Sequence, residues 1–142
     1  MKIARLIFYI EVLLSSYAAV MDLINPAEFV AEYTPHKVTG IPLEIIRWYG
    51  VQLVPLVYLE FTALWQKRDD RLAWVLGAFL IGDFLQILLT VNYMQAHPGT
   101  HWTFGFVFSL VVVVVLAVTR IYWLTHYRTQ LTRSNPEGMR GF

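Results

Sequence analysis

An all-helical integral membrane protein, four spanning helices packed as a bundle with a short interfacial helix between the first two, is the fold class this sequence predicts. Three observations carry the prediction. Of 142 residues, 57% are hydrophobic and only 15% are charged, where an ordinary soluble domain has about 25% charged residues. Residues 3–24, 43–65, 72–94 and 104–124 are each apolar over the length of about 20 residues that a helix needs to cross roughly 30 Å of hydrocarbon. Aromatic residues stand near the ends of these stretches, where headgroups would lie: Trp48, Tyr49, Trp65, Trp74, Tyr93, Trp102, Tyr122 and Trp123.

The first stretch, 3–24, begins with Lys2 and Arg5 and contains Ser16-Tyr17-Ala18, the small-residue spacing of a signal-peptidase site. Glu11 interrupts its apolar run, so it reads as a retained span. Asn25-Pro26-Ala27-Glu28 follows, with a cap residue, a proline in the first helical position and an acid in the capping-box place. This predicts a short helix over 26–33, its Phe29, Val30 and Tyr33 on one side, lying along the interface over the mouth of the bundle. Thr34-Pro35 ends it and Gly40-Ile41-Pro42 starts the second span, in which Pro55 frees the carbonyl of Val51. The basic turn Gln66-Lys67-Arg68-Asp69-Asp70-Arg71 leads into the third span. The fourth holds five consecutive valines, Val111 to Val115, and no charge before Arg120. A strand does not run so long, and in a bilayer every backbone group must be paired within its own segment, which leaves helix. Residues 1–142 form one membrane domain with a polar tail over 125–142.

Orientation follows from the basic residues, because cytoplasmic loops carry the excess. Lys2, Arg5, Lys67, Arg68, Arg71, Arg120, Arg128, Arg133 and Arg140 fall on one side, nine of the eleven Lys and Arg. Lys37 and Arg47 fall on the other. Both termini are therefore expected in the cytoplasm.

Several function classes are excluded by what the chain lacks. Eleven Lys and Arg against ten Asp and Glu leave a net charge of +1, without the basic excess that holds nucleic-acid phosphates. With no cysteine there is no disulfide, thiolate metal site or cysteine nucleophile. His97 and His101 have a metal-sharing spacing, but Pro98 and Gly99 break any helix between them and no third ligand lies near, so no metal site is expected. No histidine lies inside a span to ligate haem, and no phosphate loop or nucleophile elbow is present. Neither a cofactor nor a catalytic residue is expected.

The candidate site consists of intramembrane polar groups. A carboxylate at the bilayer centre costs about 2.5–3.5 kcal/mol on insertion scales, so such a residue signals function by default. Asp83 lies mid-way along the third span, with Gln86 and Thr90 on its face. Glu11 lies a third of the way into the first span, with Ser15, Ala18 and Asp22 following on one face, small enough for close helix contact. Glu60 lies near the cytoplasmic end of the second. Two readings are open. Glu11, Glu60 and Asp83, with Gln86, could ring an interior cavity and hydrogen-bond an apolar ligand or carry protons. Alternatively each acid is neutral, or pairs with Arg5, Arg120 or Gln86, and fixes helix register.

The four spans, the run Asp22-Leu23-Ile24-Asn25-Pro26-Ala27-Glu28-Phe29, Gly50 early in the second helix, Glu60 late in it and the basic turn together resemble the DoxX-like group of small bacterial membrane proteins. The resemblance covers residues 3–124. It implies a four-helix bundle in the bacterial inner membrane, surrounded by lipid and by other membrane subunits, as a non-catalytic accessory component of a redox- or quinone-linked assembly. A second similarity, to the emopamil-binding and sigma-2-receptor group, implies four helices whose intramembrane acids hold sterols or cationic amphiphiles, with Met21-Asp22 and Glu60 as the residues carried over. The alternative function is a protein that binds, or isomerises, a lipid-, sterol- or quinone-like ligand through Glu11, Glu60 and Asp83.

Overall fold

The computed structural model describes residues 2–34, 36–96 and 102–134, with side chains to Gln130. These residues form α1 (Lys2–Ile24), α2 (Pro26–Ala31), α3 (Ile41–Trp65), α4 (Asp69–Ala96) and α5 (Phe104–Ser134). Among the described residues there is no strand. The helices α1, α4 and α5 are long and apolar enough to cross a membrane. The helix α3 is long enough at 25 residues but is not among them, its apolar run being interrupted by Glu44, Arg47, Gln52 and Glu60.

Helix boundaries follow local chemistry. Asp69 and Asp70 occupy the first turn of α4, which begins three residues before the expected span because acids there meet the positive end of the helix dipole. The helix α5 continues through residues expected to be a polar tail, to Ser134. Between Gly105 and Pro136 the sequence has no helix breaker, so polarity alone does not end it. Asn25 caps α2 by position only. Its side chain makes no backbone cap bond and its Nδ2 donates to the Glu28 carboxylate instead, so the expected capping box closes through its side chains. Gly40, which precedes α3, has φ of 70°, a left-handed conformation open to glycine at little cost. Lys67 adopts φ of 52° in the α3–α4 turn, where glycine is the usual residue.

Neighbouring long helices run antiparallel. The helix α1 packs most extensively on α3 and α4 on α5, and these pairs join through smaller α3–α4 and α1–α5 contacts. One end of the molecule holds the start of α1, the α3–α4 turn and the end of α5. There Ala4, Phe8 and Val12 of α1, Ala63 and Leu64 of α3, Leu72 and Leu76 of α4 and Trp123 of α5 form the apolar core, and Arg5 of α1 pairs with Asp69 of α4.

The opposite end is built from small residues. A Cβ on Gly50 would stand 2.7 Å from Cβ of Asp22 and 3.3 Å from the Ala19 carbonyl oxygen, so α3 meets α1 almost backbone to backbone there. The helix α2 folds back on α1, the Phe29 ring packing edge-on against Tyr17 at 6.4 Å and Tyr33 at 5.2 Å. A Cβ on Gly105 would lie 2.6 Å from the Glu32 carbonyl oxygen, which seats the first turn of α5 against the end of α2.

The pattern of burial is inverted relative to a soluble protein. Trp74 is 84% exposed, Ile3 77% and Leu13 70%, whereas Arg120, Glu60 and Asp22 are each 1% exposed. Water would charge this surface about 25 cal/mol for each Å² of apolar area.

Candidate functional site

Arg120 of α5 is the hub of the interior. One terminal nitrogen of its guanidinium donates to Glu11 of α1 and the other to Asp83 of α4, so one side chain ties three helices together. The fork of a guanidinium presents donors in two directions, which a lysine ammonium on a flexible stem does not reproduce. Phe79, one turn before Asp83 on α4, places its ring 5.2 Å from the guanidinium carbon, within the range of a cation–π contact.

Glu60 of α3 completes the centre without joining the pairs. It lies within electrostatic reach of Glu11, Arg120 and Asp83. Among the described residues neither of its oxygens has a hydrogen-bond partner. Oε2 of Glu11, Nε of Arg120 and, on the next turn of α5, Nε1 of Trp123 are equally unpartnered. The centre therefore holds three carboxyl groups and one guanidinium, with acceptors and donors both left over.

The sequence-derived candidates divide accordingly. Glu11 and Asp83 meet at Arg120, and Glu60 stands beside them. Gln86 does not join: it is exposed. Three residues beyond Asp83 turn the helix by about 60° from the carboxylate, and the buried stripe of Leu72, Leu76 and Asp83 continues through half-buried Thr90 instead. Arg5, a possible partner for the interior acids by sequence, is spent on Asp69. Arg120 is the residue that sequence reasoning undervalued. Counted among the cytoplasmic charges, it is in fact interior, which leaves eight of the eleven basic residues for that side. The available signal was an arginine inside the fourth apolar stretch, four residues before its end, in a chain with two intramembrane acids to pair with it.

Asp22 belongs to a separate place. It is buried where α1 meets Gly50, its Oδ2 is unpartnered, and its charge reaches Tyr33 and Tyr49. Burial first, then Glu32 and Asp22, hold the Tyr33 phenol above its ordinary pKa.

No group of three His, Asp or Glu among the described residues is arranged to hold a metal. His97 and His101 lie outside the described residues. An open groove of about 670 Å³ runs between α1 and α5, lined by Lys2, Ile3, Ala4, Ile7, Val118, Thr119 and Tyr122. A second, near α2, is lined by Asn25, Glu28, Thr34 and Lys37 among others. Neither includes an acid of the Arg120 centre. Chemically the centre can lock helices and hold protons, and it presents no nucleophile beside a base. No protein-family model, curated protein or solved structure matches this chain.

Proposed function

We propose that this chain is an integral membrane protein of four spanning helices, α3 included, with α2 lying along the interface and both termini cytoplasmic. It acts as a non-catalytic subunit of a larger bacterial inner-membrane assembly. A redox- or quinone-linked assembly is the kind that the DoxX-like resemblance implies. The observation that carries the reading is the internal pairing of Arg120 with Glu11 and Asp83 inside an apolar exterior. Polar groups tied to one another hold helices in register, whereas groups kept for a substrate face an open cavity. A partner helix is supported by α4, where Ala78, Gly82 and Gln86 are all exposed on one side and nothing lies within 4 Å of where a Gly82 Cβ would stand. A lipid-facing amide in an apolar helix is best satisfied by another helix.

Photo-crosslinking residues placed at Leu85 and Leu89 test the subunit reading in native membranes. A discrete protein adduct supports it, and adducts to lipid alone overturn it. Single cysteines at Gln66 and Thr39 test the topology, with labelling from the cytoplasmic and the outer side respectively. Orphaned Glu60 supports a second reading, in which the intramembrane carboxyls bind an apolar ligand. Asp83→Asn separates the two. As a helix lock the variant keeps an oxygen for Arg120 and leaves both stability and copurification unchanged. As a ligand-binding or proton-bearing group it loses that binding while remaining folded and inserted.

A further inference from the structure

We propose that Glu60 carries a resident, exchangeable proton and donates it to Oε2 of Glu11, making the junction of α3 with the Arg120 centre a proton-binding site.

If all three acids were ionised, both Glu60 oxygens and Oε2 of Glu11, which lies within side-chain reach of Glu60, would be acceptors without a donor, each terminal nitrogen of Arg120 already bonding Glu11 or Asp83. Buried acceptors without donors are costly, and like charges in an apolar setting more so. A single proton on Glu60 removes both defects. It turns an acceptor facing an acceptor into a donor facing an acceptor, and it lowers the charge of the centre from two negative units to one.

The neighbouring groups favour Glu60 over its companions as the carrier. Glu11 and Asp83 each bond a terminal nitrogen of Arg120, which favours their ionised forms. Glu60 has no such bond and is 1% exposed. The charged groups facing it are Glu11 from α1, Asp83 from α4 and Arg120 from α5, and tyrosines Tyr9 and Tyr127 pack only at the edge of the adjoining core. The unpartnered Nε of Arg120 and Nε1 of Trp123 are donors with no direct bond to Glu60, and one water would join them to its second oxygen. The proton leaves as hydronium to that water when the site opens, with no change in redox state.

Loss of the proton sets two carboxylates against each other where α3 joins α1, and α3 is the one long helix the arginine does not tie. Deprotonation is therefore expected to loosen α3 alone and to leave the α1–α5–α4 lock intact.

Infrared spectroscopy of the full chain in detergent tests this, because a protonated carboxyl has a C=O stretch well separated from the carboxylate band and shifts in deuterated water. Asp22→Asn serves as the background, since Asp22 is the other buried acid without an ion pair. In that background a protonated-carboxyl band is expected at neutral pH, absent when Glu60→Gln is added and retained when Asp83→Asn is added. Glu60→Gln is expected to fold, its amide N–H replacing the proton as donor to Glu11. Absence of the band from the background protein, or its survival in Glu60→Gln, overturns the proposal and leaves the subunit reading standing.

Discussion

The two ends of the helices are held together by opposite means. Where the chain begins, large side chains interdigitate: Trp123, Phe8, Leu64, Leu72 and Leu76 are all fully buried. Where α2 lies, closeness replaces bulk, with Gly50 against Asp22 and Ala19, and Gly105 against Glu32. From residue 84 to residue 96 α4 has no buried residue, and between Ile41 and Leu59 the only buried residue of α3 is Gly50. Apolar solvent gives side chains little reason to leave it, so contact there depends on how near two backbones can come. Arg120 lies between the regimes and supplies directed bonds that neither offers.

Removing the arginine should have the largest effect. Arg120→Leu strands Glu11 and Asp83 and is expected to cost about 3–5 kcal/mol, the usual penalty for one partner lost from a buried ion pair. Thermal unfolding in detergent measures it, and Arg120→Lys should recover only part of the loss. Next comes the bulky end, where Trp123→Ala opens a cavity worth about 3 kcal/mol. Equal stability of that variant and the wild type would show that the core is not what closes this end.

Glycine substitutions then sharpen the contrast, since one chemical change should act oppositely at two positions. Gly50→Ala pushes a methyl into Asp22 and is expected to cost about 2 kcal/mol by overpacking. Gly82→Ala meets nothing within the chain and should stabilise it by up to about 1 kcal/mol through helix propensity. If a partner helix docks there, the same substitution weakens copurification while the isolated chain is stabilised. The smallest effect belongs to the α3–α4 turn, where Lys67→Gly relieves a left-handed backbone and should add a few tenths of a kcal/mol, up to about 1.

Much of the fold was legible because hydropathy and length act locally. All four long helices fall where apolar runs predicted them, and Pro26, Gly40 and Pro42 marked boundaries that the backbone uses. The extension of α5 was missed because polarity was read as an end signal, although polar residues do not by themselves end a helix. Within the site, burial of Asp83 and Glu11 followed from the cost of exposing a charge to lipid. What the sequence did not contain was the relative rotation of four helices. That rotation brings Glu11 to Arg120, 109 residues away in the chain, and turns Gln86 outward, and it is set by packing between segments that no local pattern encodes.

The position of Arg120 also bears on how the protein is made. An arginine inside an apolar segment, four residues before its end, resists entry into the bilayer, though by less than the cost of about 2.5–3.5 kcal/mol that insertion scales give at the helix centre. Both of its counter-charges belong to helices that leave the ribosome first. Glu11 and Asp83 would wait in or near the membrane, each itself poorly suited to it, until α5 arrives and cancels the debt of all three at once. Insertion of this chain is thus expected to be cooperative in time, with α1 and α4 settling fully only after α5 is synthesised, and a ribosome stalled before residue 120 should leave them extractable.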